Sequence, residues 1–296
     1  VCSSDLTGTV ANAMSVYNVS ANKTLTLSGG ITVNNATWDV ATGETLTING
    51  TLSGSGGVTK NGNGTLVLSG NNSYSAATVV NAGTLEAAHA NALGSNNTVQ
   101  VTGGTILVSA DDALNGKNIT LSTNTIGLQF SGNYSGAIGN LTLSADSSID
   151  LGPGSVQILL QGLDLSAYTL SFYNWTGLMG GNGTTDTDKV YVGPDLSDAA
   201  LAKISFYSGN YGTDSFLGTG FDLGLQTTSW DPGLSGYHII PGTPVPEPET
   251  WATALLLLLG GGAWMWKRNR KACLTTGEDL VVATAVPCRE SQKPLD

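Results

Sequence analysis

The chain has 296 residues with 40 Gly, 9 Pro and 3 Cys, a formal charge of −11 and only 11% charged residues. A mean hydropathy of +0.07 excludes broad disorder, and 9 prolines without a G-x-y period exclude collagen. Residues 1–250 carry 5 Lys, no Arg and 18 acidic residues, a net −13, while residues 251–296 carry +2; an acidic body without Arg cannot neutralise phosphates, so no nucleic-acid partner is expected.

From the N-terminal side, one short pattern recurs. It reads Thr24-Leu25-Thr26-Leu27-Ser28-Gly29, Thr45-Leu46-Thr47-Ile48-Asn49-Gly50, Thr65-Leu66-Val67-Leu68-Ser69-Gly70, Asn118-Ile119-Thr120-Leu121-Ser122 and Asn140-Leu141-Thr142-Leu143-Ser144, with looser copies at Thr84–Ala87 and Thr105–Val108. The leading apolar residues Leu25, Leu46, Leu66, Leu85, Ile106, Ile119 and Leu141 are spaced by 21, 20, 19, 21, 13 and 22. Within each copy apolar residues alternate with Thr, Ser or Asn, the period of a strand with one buried face. Gly and Asn follow, and both accept tight-turn geometry. A strand repeated about every twenty residues fits a solenoid, whose coils bury their apolar rows only by stacking.

The predicted fold for residues 1–155 is therefore an all-β, right-handed parallel β-helix. Leu25, Leu46 and Leu66 should form one inward ladder with Leu27, Ile48 and Leu68 beside it. About seven coils at ~4.8 Å each would make a rod of roughly 35 Å. A β-sandwich is the alternative, since it also has short strands at regular spacing.

Residues 56–87 carry a sharper signal: Gly56, Gly57, Thr59, Lys60, Gly62, Gly64, Thr65, Leu66, Leu68, Ser69, Gly70, Tyr74, Thr78, Val80, Asn81, Gly83, Thr84 and Leu85. This stretch resembles the autotransporter-associated β-strand repeat, also called the passenger-associated transport repeat. Ala76-Ala77 departs from a usual glycine before the Thr. The resemblance implies a right-handed β-helix on a secreted surface protein and no chemistry.

Residues 156–240 are rich in aromatics, among them Tyr168, Phe172, Tyr173, Trp175, Tyr191, Phe206, Tyr207 and Tyr211. They read as a β-rich cap, because the end of a solenoid must close its core. Asp195–Lys203 is the one good short helix, with Ser or Asp as its N-cap.

Residues 241–250, PGTPVPEPET, read as a stiff linker. Trp251 to Trp266 follows without a charge. As a helix it spans ~24 Å against a hydrocarbon layer of ~30 Å, so a single transmembrane helix with Lys267 snorkelling is predicted. The basic run Lys267, Arg268, Arg270 and Lys271 comes after it, which places that end in the cytoplasm and the acidic body outside. A buried core helix is the alternative.

Val245, Pro246, Glu247 and Pro248, the apolar segment and the basic stop together resemble the PEP-CTERM sorting signal, over residues 245–271. Asn174-Trp175-Thr176-Gly177 and Leu196 to Phe206 resemble the region before such signals. The resemblance implies export, an exosortase-type sorting protease as partner, and an association with exopolysaccharide and biofilm matrix. Residues 272–296, with Cys273 and Cys288, extend beyond the usual end of such signals and are expected to be unstructured. The chain begins at Val1 without Met, so a signal peptide upstream of it is expected.

Chemistry is sparse. His89 and His238 are the only histidines, and neither sits in a nucleophile, phosphate-loop or zinc motif. Cys2 reads as a free thiol rather than a lipid anchor. Asp186-Thr187-Asp188 and Asp111-Asp112 are weak calcium candidates read as solvated loops, and Asn18, Asn35, Asn118 and Asn174 head Asn-x-Ser/Thr triplets that chance accounts for. The expected function is a non-enzymatic, exported surface or matrix protein, structural or adhesive, without cofactor or metal. A polysaccharide-degrading β-helix enzyme using Asp111, Asp112, Asp146 and Asp150 is one alternative. An autotransporter passenger fragment is another, although a single apolar segment stands where a barrel of many strands would be needed.

Overall fold

Alternation of Leu, Ile or Val with Thr leaves each short segment one greasy edge, and the chain satisfies all of these edges in the same way. The computed structural model describes residues 8–10, 13–16, 24–27, 29–176, 188–212, 215–227, 231 and 233–241. The chain divides into Val1–Val245 and Pro246–Asp296, and the described residues belong to the first unit.

Each turn of the chain gives one strand to each of two parallel sheets. Sheet I holds Ala13–Val16, Ala36–Val40, Val58–Asn61, Thr78–Val80, Thr98–Val101, Asn118–Leu121, Tyr134–Leu143, Val156–Asp164 and Lys189–Val192. Sheet II holds Thr24–Leu27, Thr45–Ile48, Thr65–Leu68, Thr84–Ala87, Thr105–Val108, Ile126–Phe130, Ser147–Asp150, Leu170–Tyr173 and Ile204–Ser208. A third, short sheet joins Gly8–Val10, Ile31–Val33 and Leu52–Ser53. Beyond it the third side continues as backbone rungs, Ser73 N to Leu52 O at 2.8 Å and Ser95 N to Tyr74 O at 2.9 Å. Neighbours within a sheet are one turn apart and parallel, so this is a β-solenoid and not a sandwich.

The expected ladder is present in its register: Leu25 pairs with Leu46 and Leu46 with Leu66, while Leu27 pairs with Ile48 and Ile48 with Leu68. Sheet II carries the column on through Leu85, Ile106, Leu128, Ile149, Phe172 and Phe206. From Leu46 to Phe206 every member is 0–1% exposed. Each such burial contributes about 1.5–3 kcal/mol of transfer free energy.

The anomalous step of 13 is a change of sheet. Ile106 is succeeded by Leu128, whereas Ile119 and Leu141 lie in sheet I in register with Val99 and Leu163. Both sheets ask for the same alternation, so their copies look alike in sequence.

Turns repeat as closely as strands. Gly83 has a φ of +66°, and a Cβ there would lie 2.4 Å from Gly64 O and 2.5 Å from Gly62 O of the preceding turn. Only glycine meets both conditions.

The parallel stack continues past residue 155: Val156–Asp164 and Leu170–Tyr173 pair on to Lys189–Val192 and Ile204–Ser208. Aromatics replace Leu and Ile in the same columns, with Phe172 and Phe206 stacked at 5.2 Å, so composition shifts before topology does. Closure is made by Ser215–Thr227 and Ser235–Pro241, which pair antiparallel with each other and cover the last strand of each sheet. A covered terminal edge removes a template for further strand addition. Between the last two stacked strands, helix α1 (Asp198–Leu201) is capped by Ser197, whose side chain accepts from Ala200 N, as the short-helix reading expected.

Candidate functional site

The sequence-derived sorting residues Val245, Pro246, Glu247, Pro248, Lys267, Arg268, Arg270 and Lys271 lie outside the described residues, as do the Trp251–Trp266 segment, Cys2, Asn18 and Asp186. Among the described residues no helix is long and apolar enough to cross a membrane.

The acidic candidates do not converge. Asp146 accepts from Thr169 N and Oγ1, at 2.8 and 3.0 Å. Asp150 is occupied two rungs from the turn that carries Asp111 and Asp112, by partners described below. Asp188, read as a loop residue, is instead buried, accepting from Val156 N at 2.9 Å and from Thr176 N and Oγ1 at 2.9 and 2.7 Å. Among the described residues no three His, Cys, Asp or Glu side chains form a group able to hold a metal. His89 Nδ1 accepts from Asn91 N at 3.0 Å, and buried His238 stacks on Tyr191 with ring centroids 4.8 Å apart.

Much of the polar surface is turned toward the rod itself. Asn81 donates to Asn61 at 2.9 Å and accepts from Thr102 at 2.7 Å; Asn91 donates to Asn71 at 2.9 Å. Buried Asn72 accepts from Leu52 N at 2.8 Å and donates to Ala92 O at 2.7 Å. Asn35 Oδ1 accepts from Gly57 N at 3.1 Å and Asn118 Oδ1 from Asn140 N at 2.9 Å. These bonds join residues about one turn apart, so they stabilise stacking before they serve any ligand.

Lys60 is the inward cation of the repeat, in register between Trp38 and Val80. Its Nζ donates to Asn61 O at 2.7 Å, Gly62 O at 2.6 Å and Ala82 O at 3.1 Å. Burial pulls its pKa down from 10.5 to about 8, with Asp39 acting weakly in the other direction. A lowered pKa means that the unfolded chain binds more protons between pH 8 and 10.5, so stability rises with pH through that window and is constant below it. Urea unfolding of wild type and Lys60→Met across this range should show the difference moving in favour of wild type as pH rises. A flat difference would disprove a desolvated ammonium.

One flank differs in chemistry. The outward row of sheet II runs Thr47, Val67, Glu86, Leu107, Gln129, Asp150 and Tyr173. Its later members border a groove of about 500 Å³ lined by Leu107, Gln129, Asp150, Pro153, Asn174 and Asn210. Asp150 organises the floor: Oδ2 accepts from Gln129 Nε2 at 3.0 Å, and Oδ1 accepts from Gly152 N at 2.8 Å and Asn174 Nδ2 at 2.5 Å. Asn174 also donates to Asn210 Oδ1 at 3.0 Å. Beside the floor stand aromatic rings. Tyr173 stacks on Tyr207 at 4.8 Å and meets Tyr211 edge-on at 5.1 Å; Tyr207 meets Phe216 at 5.5 Å. Tyr211 and Phe216 are 46% and 52% exposed. Sequence reading noted the aromatics as cap filling and missed the groove; the ~20-residue offset between Gln129, Asp150 and Tyr173 was the signal available.

The described residues thus form a parallel β-solenoid whose turn amides are spent on stacking, with a polar groove on one flank and aromatic rings beside it. Residues 58–87 match the family model of the Passenger-associated-transport-repeat. The match begins at Val58 in sheet I and ends at Ala87 in sheet II, two strands of each sheet, which is the smallest unit in which each inward column meets its own next copy. No curated protein and no solved structure matches the chain. Repeat and fold together fit an exported, autotransporter-like passenger.

Proposed function

We propose that the chain is a non-enzymatic surface or matrix protein whose β-solenoid acts as a spacer and adhesive rod touching exopolysaccharide. Export is followed by insertion of Trp251–Trp266 in the membrane, recognition of Val245-Pro246-Glu247-Pro248 by an exosortase-type protease, and removal of the helix. The observation that carries the passenger part is the repeat at residues 58–87 within a parallel solenoid. The ordered signal, apolar segment and basic stop support the sorting part. Engagement of Asp146 and Asp150 in bonds within the stack supports a rod without a paired-carboxylate reaction.

A second reading, a passenger carried through the outer membrane by a barrel outside this chain, is favoured by the same repeat. Fractionation of the native host with an antibody to the body separates the two. The sorting reading expects body in the surface or matrix fraction, and a longer, membrane-held form when Pro246, Glu247 and Pro248 are all changed to Ala. Unchanged processing of that variant would remove the sorting reading and leave the passenger reading.

A further inference from the structure

We propose that the groove on sheet II, beside the closing strands, is a binding site for a neutral hexopyranose chain. The inference rests on the adhesive reading above and names its ligand class and location. Its chemistry is laid out in two parts. The floor is a carboxamide set held by one carboxylate: Asp150 orients both Gln129 and Asn174, and Asn174 reaches Asn210. Only one N–H of Gln129 is used in that network among the described residues, leaving its carbonyl and second N–H to meet sugar hydroxyls. The Asn174 amide spends both N–H groups and keeps its carbonyl oxygen.

Beside the lining, next in the chain to Asn174 and Asn210, stand Tyr173 and Tyr211 with the rings they touch. Tyr211 and Phe216 expose about half their surface, while Tyr173 and Tyr207 brace them from behind. A pyranose ring offers an apolar face of C–H groups and a rim of hydroxyls, so it needs both a ring to lie on and amides to bond. Elsewhere on the described flank the amides come without exposed rings, since Tyr211 and Phe216 are the exposed large apolar side chains. Four rungs from Leu107 to Tyr207 extend ~19 Å, enough for several sugar units rather than one. A groove of about 500 Å³ falls in the usual range of roughly 300–1,000 Å³ for ligand sites.

Charge selects the neutral class. The one ionisable side chain in the groove lining is Asp150, and residues 1–250 carry a net −13 without Arg. A polyuronate or sulfated glycan would meet repulsion and find no guanidinium fork. Asp150 is a positioning residue here, since its oxygens are taken up by protein donors.

Titration of the full chain with cellohexaose, mannohexaose and hexagalacturonate tests this by calorimetry and by NMR shifts at Gln129, Asn174 and Tyr211. At least one neutral hexasaccharide should bind, and hexagalacturonate about tenfold more weakly or not at all. Tyr211→Ala/Phe216→Ala should weaken neutral binding about tenfold or more, because two ring platforms are lost. Gln100→Ala, on the outward face of sheet I, should leave it within about twofold. Both aromatic positions are half exposed, so the double variant should keep its β circular dichroism; if it does not, Tyr211→Ala alone serves. Absence of binding to both neutral hexasaccharides, equal binding by the aromatic variant, or preference for hexagalacturonate would overturn the proposal. Capture on the producer's exopolysaccharide separates the two readings. Equal capture of wild type and aromatic variant sinks the groove and keeps the adhesive rod, whereas hexasaccharide binding without capture of wild type keeps the groove and sinks the rod's matrix role.

Discussion

Leu66→Asp should unfold the rod. Leu66 is fully buried between Leu46 and Leu85 in the sheet II column. Removing the side chain down to Cβ costs about 2–5 kcal/mol, and a carboxylate left there without a cation adds several kcal/mol more. Together these reach the ~5–15 kcal/mol that a domain has in hand. In a solenoid each turn is held by its neighbours, so the break spreads in both directions. Circular dichroism and limited proteolysis of Leu66→Asp should report loss of β structure and new cleavage sites. Leu66→Ala should lower the urea midpoint without abolishing the transition. Val67→Asn, one residue along and on the outward side, should behave almost as wild type. If Leu66→Asp and Val67→Asn are equally stable, the inward column has been placed on the wrong face.

Asp188→Ala should cost about 1–3 kcal/mol, because it leaves the buried Val156 N–H without its acceptor and removes two further bonds from Thr176, an exposed residue that water can reach. The three donors are Val156 N, Thr176 N and Thr176 Oγ1. Asp188 stands immediately before Lys189–Val192 and reaches the first residue of the strand one rung earlier in sheet I. Its loss should therefore loosen the closing end first. Hydrogen exchange should show faster opening at residues 189–192 and 204–208 than at residues 58–87. Asp188→Asn retains one acceptor and turns the other end toward donors, so it should fall between wild type and Ala. A loss below about 1 kcal/mol for the Ala variant would show that the carboxylate does not tie these strands.

Both results depend on contacts that differ in how far a sequence displays them. Leu66 belongs to a pattern repeated in Leu46 and Leu85, so its inward direction follows from period two and a near-twenty spacing. The copies at Ile119 and Leu141 carry the same pattern and sit in the other sheet. Nothing in a row of Leu and Thr distinguishes one wall of a solenoid from the other, because both walls bury the same kind of edge. Asp188 has no such pattern around it. Its neighbours Gly, Thr and Asp look like a solvated loop, and only the fold brings Val156 and Thr176 to its two oxygens.

The groove follows the same division. Gln129, Asp150 and Asn174 are separated by 21 and 24 residues, so their meeting is implied once the rise per turn is known, but their orientation is not. Whether a carboxylate on an outward row faces water, a cation or an amide depends on the side chains one turn above and below.

Read alone, the sequence determines that the chain alternates with a period of two, turns at Gly and Asn, and returns every twenty residues or so; an apolar edge that no single coil can bury favours stacking, and the strand pairing decides it against a sandwich. Tertiary structure decides which strands share a sheet, where the parallel stack yields to antiparallel closure, and which polar side chains become a floor beside aromatic rings. The reason is physical: inward residues are specified by a hydrophobic requirement that is local and repeated, while outward contacts arise between residues of different turns, whose identities carry no common pattern.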